Sequence, residues 1–312
     1  MTLHHPPALV FLLGATGTGK TDIALHLARV FHLGVINIDS RQTYRDFPIV
    51  TAQPTAEEQA VCPHRLYGFL DVRDKITAGV YCDRCLAALR EFQDLVRLPV
   101  FVGGTGFYVR ALLQGLAPIP TIAPEVLRDL EAELQSLGLP ALRRRFETID
   151  PDYAAKIHPN DTQRTLRALE VYGGTGKTFS WWHGQPLAPA PFRALKLGLA
   201  LPPPVLATRL AARIEAMLAT GALEEARRAF ERCPDPSAPV WSGIGCAELL
   251  SYLQGNISLD QAKELWLKNT RAYAKRQVTW FNKDPDMCWY AADDPNLAQT
   301  IAATVGQFLE TP

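Results

Sequence analysis

No stretch of this 312-residue chain is apolar for long enough to cross a membrane, which takes about twenty consecutive residues. A paired-cysteine framework is missing too. Cys62, Cys82, Cys85, Cys233, Cys246 and Cys288 are scattered, and the lone C-x-x-C of Cys82 and Cys85 has neither a second pair nor histidines at ligand spacing. Reduced thiols are therefore expected rather than a zinc site or a disulfide scaffold. Nor is there an excess of one charge: 32 Lys and Arg balance 32 Asp and Glu. That argues weakly against a chain coated by nucleic acid, but leaves room for a local basic groove. Basic residues do cluster, at Arg143-Arg144-Arg145, at Arg164 with Arg167, at Arg227-Arg228 and from Lys268 to Lys283. Internal repeats and low-complexity tracts are absent. What is left, 47% hydrophobic and 21% charged residues, describes one large globular domain or two.

One motif stands out against this plain background. Gly14-Ala15-Thr16-Gly17-Thr18-Gly19-Lys20-Thr21 fits the phosphate-loop pattern G-x-x-x-x-G-K-[ST] at every fixed position. Residues 8–13 read as a buried strand before it, and residues 22–30 as a helix after it. A glycine-rich turn between strand and helix points successive N–H groups into a concavity, and the helix N-terminus adds partial positive charge. Lys20 would neutralise an outer phosphate and the Thr21 hydroxyl would reach a Mg²⁺. With this loop so near the first residue, no cleaved secretory leader is expected, and a cytoplasmic location is.

Residues 35–38 form a second strand pattern ending at Asp39-Ser40, residues 80–96 a helix, and residues 99–102 a third strand ending in Gly103-Gly104-Thr105-Gly106. Alternating buried strands and helices predict a parallel sheet covered on both faces. Ligands then gather at the carboxyl ends of the strands, where these three loops meet. Near 116 the character changes. Residues 117–120 read as a linker, and helical patterns follow at 125–137, 139–146 and 162–172. Strand character returns at 194–200, and helices follow at 205–219, 223–232, 247–254 and 259–281. The expected fold is α/β: a P-loop NTPase-like parallel-sheet core (1–115, completed by 191–312) with a helical insertion domain (116–190) and C-terminal helices. Gly173-Gly174-Thr175-Gly176-Lys177-Thr178 imitates a second phosphate loop. It has Val171 where the first glycine belongs and follows a helix, so it reads as a helix C-terminal turn.

Asp39, at a strand end beside the phosphate loop, suits a general base or a Mg²⁺ partner, or simply a helix N-cap. Gly103 to Gly106 lets backbone approach a ligand closely and offers the Thr105 hydroxyl, or is a plain strand-to-helix turn. Arg and Lys alternate with aromatics in residues 270–281. That pattern suits unpaired bases and phosphates, or a solvated basic helix face.

Taken in order, these segments resemble the tRNA dimethylallyltransferases. The phosphate loop, Asp39-Ser40-Arg41-Gln42-Thr43-Tyr44, Thr51-Ala52-Gln53-Pro54, Val102-Gly103-Gly104-Thr105-Gly106-Phe107-Tyr108, His158-Pro159-Asn160-Asp161, Gln163-Arg164 with Arg167-Ala168-Leu169-Glu170, and Ala274-Lys275-Arg276-Gln277 with Thr279-Trp280-Phe281 carry the likeness. The resemblance implies transfer of a dimethylallyl group from its diphosphate to N6 of the adenosine beside the anticodon, in tRNAs reading codons that begin with U. It implies that Gly14, Ala15, Thr16, Gly17, Thr18, Gly19, Lys20 and Thr21 hold the diphosphate with Mg²⁺, the metal at Thr21. It makes Asp39 the base that takes the amine proton, Thr105 its support and Arg213 a grip on the diphosphate. It also implies tRNA contacts at Asp39, Ser40, Arg41, Gln42, Thr105 and Leu127, at Gln163, Arg164, Thr165, Leu166 and Arg167, and at Ser242, Gly243, Ile244, Gly245, Cys246 and Ala247. The last implied contacts are Lys275, Arg276, Gln277, Val278, Thr279, Trp280, Phe281 and Asn282. The implied partners are the tRNA anticodon loop and dimethylallyl diphosphate, with no membrane, for a monomer. A helical insertion and a basic C-terminal helix would clamp the anticodon loop from two sides.

Four changes, over five positions, depart from the family pattern: Cys246-Ala247 where Tyr-Lys is usual, Val50 for Gly, Gln53 for Lys, and Asn282 for Arg. Three of these remove a positive or aromatic RNA contact. The main rival is a small-metabolite kinase, which would use the same loop and Asp39 but lacks here an arginine-rich lid and an adenine-binding signature. A regulatory NTPase would want a guanine-reading N-K-x-D, which is absent. A non-catalytic RNA-binding module has no use for Lys20-Thr21 beside Asp39.

Overall fold

The computed structural model describes residues 6–187 and 192–311. The chain divides into two compact units, Met1–Leu113 with Ala190–Pro312, and Gln114–Pro189. No helix among the described residues is long and apolar enough to cross a membrane.

The first unit is built on six strands: β1 (Ala8–Gly14), β2 (Leu33–Asn37), β3 (His64–Arg65), β4 (Leu98–Gly103), β5 (Arg193–Ala200) and β6 (Met287–Ala291). Their order is β3-β2-β4-β1-β5-β6 and every pairing is parallel. This is the P-loop NTPase-like α/β architecture. Leu9 to Leu13 are fully buried because both faces of the sheet are covered. The two-residue strand period sorts them cleanly. Leu9, Phe11 and Leu13 pack with Phe101 against Tyr81 and Phe92 of the helix Ala78–Asp94. Val10 and Leu12 pack with Val100 and Val102 against Ile23 and Leu27 of the helix Lys20–Ala28, and against Ile301 and Val305 of the helix Leu297–Glu310. Phe11 and Phe101 stack with ring centres 4.8 Å apart.

Register decides where the chemistry falls. Leu13 lies beside Gly103, and Asn37 beside Val102. The phosphate loop, the Asp39 turn and the Thr105 turn therefore leave the neighbouring strands β1, β2 and β4 at the carboxyl end of the sheet. A further core of Phe47, Val50, Trp241, Leu249 and Trp266 ties the segment after Asp39 to the helices Ala222–Arg232, Cys246–Leu253 and Leu259–Phe281.

The second unit packs the helices Pro124–Leu137, Leu139–Ile149 and Thr162–Thr175 around Leu130, Leu142, Phe146, Ala168 and Leu169. Gly176 ends the third of these with φ 66°. The second glycine-rich run is thus a helix terminus, since Gly173 and Gly174 still lie within the helix. The arginine triplet is not an open basic patch. Arg143 is buried, donating to Glu147 at 2.8 Å and to the Ala154 carbonyl at 2.6 Å, and Arg145 pairs with Glu133 at 2.7 Å.

Several elements go beyond the sequence reading. β3 has only two residues, too few to show a period, and β6 is a half-exposed edge strand. The helices Gly106–Gln114 and Leu297–Glu310 are also additional.

Candidate active site

Gly17 and Gly19 adopt φ 83° and 86°, left-handed values that turn the loop from β1 into the helix Lys20–Ala28 at little steric cost. Among the described residues, the N–H groups of Gly17, Thr18 and Gly19 donate to no protein acceptor. Unpaired donors at a helix N-terminus form an anion cradle. Lys20 Nζ lies across the loop, donating to the carbonyls of Gly14 (3.1 Å) and Ala15 (2.7 Å). Burial pushes its ammonium down to about 8, opposed by Asp39 and reinforced by Arg213. Arg213, on the helix Pro203–Ala219, is likewise lowered by burial, with Asp39 and Asp22 opposing. Lys20, Arg213 and Asp39 thus lie within one another's field.

Asp39 is held by backbone and side chain together. Asn37, fully buried at the end of β2, accepts the Asp39 N–H at 2.8 Å and donates to the carbonyls of Asp39 and Leu66 at 2.9 Å. The Arg41 N–H donates to Asp39 Oδ1 at 2.8 Å, which orients the carboxylate, and the second oxygen has no donor among the described residues. Thr105 Oγ1 accepts the Ser40 N–H at 3.0 Å, and the Thr105 N–H donates to the Ile38 carbonyl at 3.1 Å. Tyr273 lines the same site, and burial holds its phenol well above the ordinary range, so it stays protonated. Asn37, which holds the Asp39 turn, and Tyr273, which lines the cavity, are among the residues that the sequence reading left out of the site. The available signal was an Asn inside an apolar strand, because a buried amide must have partners.

A cavity of about 250 Å³ opens over these groups. Thr16, Asp39, Arg41, Arg213, Tyr273 and Arg276 give it a polar side; Val50, Leu210, Ile214, Met217, Ile244 and Trp266 give it an apolar one. Cations, one carboxylate and an apolar wall suit a ligand with an anionic head and a short hydrocarbon tail. Just beyond Thr105, Arg110 lies over the rings of Phe107 and Trp280 at 5.5 and 5.3 Å, an exposed platform fit for a base.

The other residues expected from the sequence divide into exposed and enclosed groups. Ser242, Ala247, Lys275, Arg276, Thr279, Trp280 and Asn282 are exposed, and Ser242 Oγ accepts from Arg41 at 3.1 Å. In the second unit Gln163, Arg164 and Arg167 are exposed on one helix, Arg164 pairing with Asp161 and Arg167 with Glu170 at 2.8 Å. Leu127 is half-buried, and Leu166 packs on that unit's core. For a few residues, expected RNA contact gives way to protein packing. Thr165, Cys246, Gln277 and Phe281 are buried, and Val278 packs towards Ala15 and Leu210, so these side chains face protein. Gly243 and Gly245 are enclosed as well; a Cβ on Gly245 would come within 2.6 Å of Val50 and 2.7 Å of Trp266. Gln53 donates to the Tyr44 carbonyl at 2.8 Å and so braces its own loop.

Residues 42–284 match the model of the IPP transferase family. The chain belongs to the IPP transferase family. It is 52% identical to a tRNA dimethylallyltransferase of Oleidesulfovibrio alaskensis, over 96% of this chain and 99% of that one. The fold is similar to the crystal structure of a tRNA isopentenylpyrophosphate transferase from Bacillus halodurans (TM-score 0.72, 33% identity, 97% of each chain covered). It is also similar to a eukaryotic dimethylallyltransferase acting on tRNA, with TM-score 0.84, 29% identity, and coverage of 97% of this chain and 79% of that one.

A divalent cation at this site would have few protein ligands. No group of three or more His, Cys, Asp or Glu among the described residues is placed to hold a metal. Among the described residues, the Thr21 hydroxyl and the second oxygen of Asp39 have no hydrogen-bond partner. Hard, sparse oxygen donors beside an anion cradle fit Mg²⁺ that takes its remaining ligands from a diphosphate and water.

Proposed function

We propose that the protein transfers a dimethylallyl group from dimethylallyl diphosphate to N6 of the adenosine on the 3′ side of the anticodon, in tRNAs that read codons beginning with U. The observation that carries this reading is the two-sided cavity. Its polar side brings Arg213 and an oriented Asp39 together beside the phosphate loop, whose N–H groups at Gly17, Thr18 and Gly19 donate to no acceptor among the described residues, and its other side is apolar.

The adenine amine is a weak nucleophile, so departure of the diphosphate leads. The allylic C–O bond breaks as the loop N–H groups, Lys20 and Arg213 take up charge on the leaving oxygens. Mg²⁺ held at Thr21, with Asp39 nearby, would add charge neutralisation on the diphosphate. The N6–C bond forms on the allylic carbon, and the amine proton passes to Asp39. Thr105 and Asn37 hold the backbone around Asp39 while this happens. The apolar wall of Ile214, Met217 and Trp266 keeps water from the electron-poor allyl group. The acceptor base must leave its stack to reach the cavity, and the Phe107–Arg110–Trp280 platform offers a surface beside it.

The test is incubation with Mg²⁺, labelled dimethylallyl diphosphate and two unmodified tRNAs, one with adenosine and one with guanosine beside the anticodon. Label in the first alone is expected. No label in either, together with phosphoryl transfer from ATP to a small acceptor, would replace this reading with a kinase.

A further inference from the structure

Gln277 lies in the basic helix Leu259–Phe281, among residues expected to touch RNA, yet it is only 4% exposed. Both ends of its amide are bonded inside the protein. Oε1 accepts the Thr16 N–H of the phosphate loop at 3.0 Å, and Nε2 donates to the Gly104 carbonyl at 3.0 Å. Gly104 immediately precedes Thr105. One side chain therefore joins the loop that would hold the diphosphate to the turn that supports Asp39. It does so from the helix whose Tyr273 and Arg276 line the cavity. Space around it is tight: a Cβ on Gly104 would run into the Gln277 amide.

We infer that Gln277 is a positioning residue for the transfer reaction, fixing the distance between the diphosphate cradle and the acceptor-side turn, and not an RNA contact. The physical reason is that a buried amide with both ends satisfied is rigid, and loss of either partner leaves a buried backbone group unpaired. Donor and acceptor must meet in a narrow geometry, and a misplacement of about 1 Å costs roughly 10²-fold in rate. The inference rests on the reading of the phosphate loop as a diphosphate site.

The test uses the whole chain and separates the two roles. Binding of inorganic pyrophosphate with Mg²⁺ and binding of an unmodified anticodon stem-loop are each measured for wild type, Gln277→Met and Gly104→Ala. Transfer rates are measured alongside. For Gln277→Met the expected results are pyrophosphate affinity weakened about tenfold, kcat lowered about 10²-fold and RNA affinity within about twofold of wild type. Gly104→Ala displaces the same amide and is expected to do the same. The double variant is expected to be no worse than either single one, because both break one strut. Weakened RNA binding with unchanged pyrophosphate affinity would overturn the inference and return Gln277 to the RNA surface. Additive losses in the double variant would also overturn it. A wild-type chain that binds no pyrophosphate would remove the diphosphate reading itself, and the inference with it.

Discussion

Asp39 has one carboxylate oxygen tied to the Arg41 N–H at 2.8 Å and the other open, the geometry of a base aimed by its own turn. Asp39→Ala is expected to lower transfer by about 10²–10⁴-fold while pyrophosphate still binds, as loss of a general base does. Stopped-flow transfer beside calorimetric binding checks both halves, and a wild-type rate would remove Asp39 from the role. Lys20 carries a pH signature. Burial pushes its ammonium down to about 8, and the diphosphate binds the charged form. Pyrophosphate affinity is therefore full below that pH and falls as pH rises through it, with proton uptake on binding near pH 8. Calorimetry in buffers of different ionisation enthalpy reads this directly. Lys20→Ala is expected to remove both the pH limb and about 3 kcal/mol of transition-state stabilisation.

At the scale of elements, a buried carboxylate helps pin the segment after Asp39. Glu225, on the helix Ala222–Arg232, accepts the N–H groups of Ile49 (2.7 Å) and Val50 (2.8 Å). Burial raises its carboxyl to about 7 from an ordinary 4.5, with those N–H groups and Arg228 opposing and Asp46 adding. The folded chain then holds the extra proton between the two values, so this group's contribution to stability falls as pH rises from about 4.5 to 7. Tm is expected to drop across that window in wild type and to drop less in Glu225→Gln; identical slopes would refute the assignment. Gly245 is the tightest joint nearby. Its φ of 89° and the 2.6 Å approach to Val50 predict that Gly245→Ala costs about 2 kcal/mol or more, measured by urea unfolding. The same elements explain what was legible. β1, β2, β4 and β5 announce themselves as apolar runs because both sheet faces are covered. β3 and β6 do not, being too short or half-exposed at the edges. Gln277 was expected among the RNA contacts by resemblance, and a Gln among Lys and Arg on a helix does not show in the sequence which way it faces. Only the tertiary fold turns it towards Thr16 and Gly104.

For the whole molecule, balanced charge limits what long-range electrostatics contributes to RNA binding. Several cations of the second unit are already paired locally. Attraction then falls to exposed cations such as Lys275 and Arg276. The salt dependence of stem-loop binding is expected to be shallow, and Lys275→Ala to reduce its slope by about 0.7 if that lysine neutralises one phosphate. The phosphate loop and the Asp39 turn could be read from the chain because their chemistry lies in consecutive residues. The cavity could not, since Leu210, Trp266 and Tyr273 reach it from helices far along the sequence. The most direct measurement of the central claim is mass spectrometry of nucleosides from unmodified tRNA after reaction with dimethylallyl diphosphate and Mg²⁺. The account predicts one added dimethylallyl group on N6 of the adenosine 3′ to the anticodon, with one pyrophosphate released per group. Unmodified adenosine after complete turnover of the donor, or prenyl groups on any other atom, would contradict it.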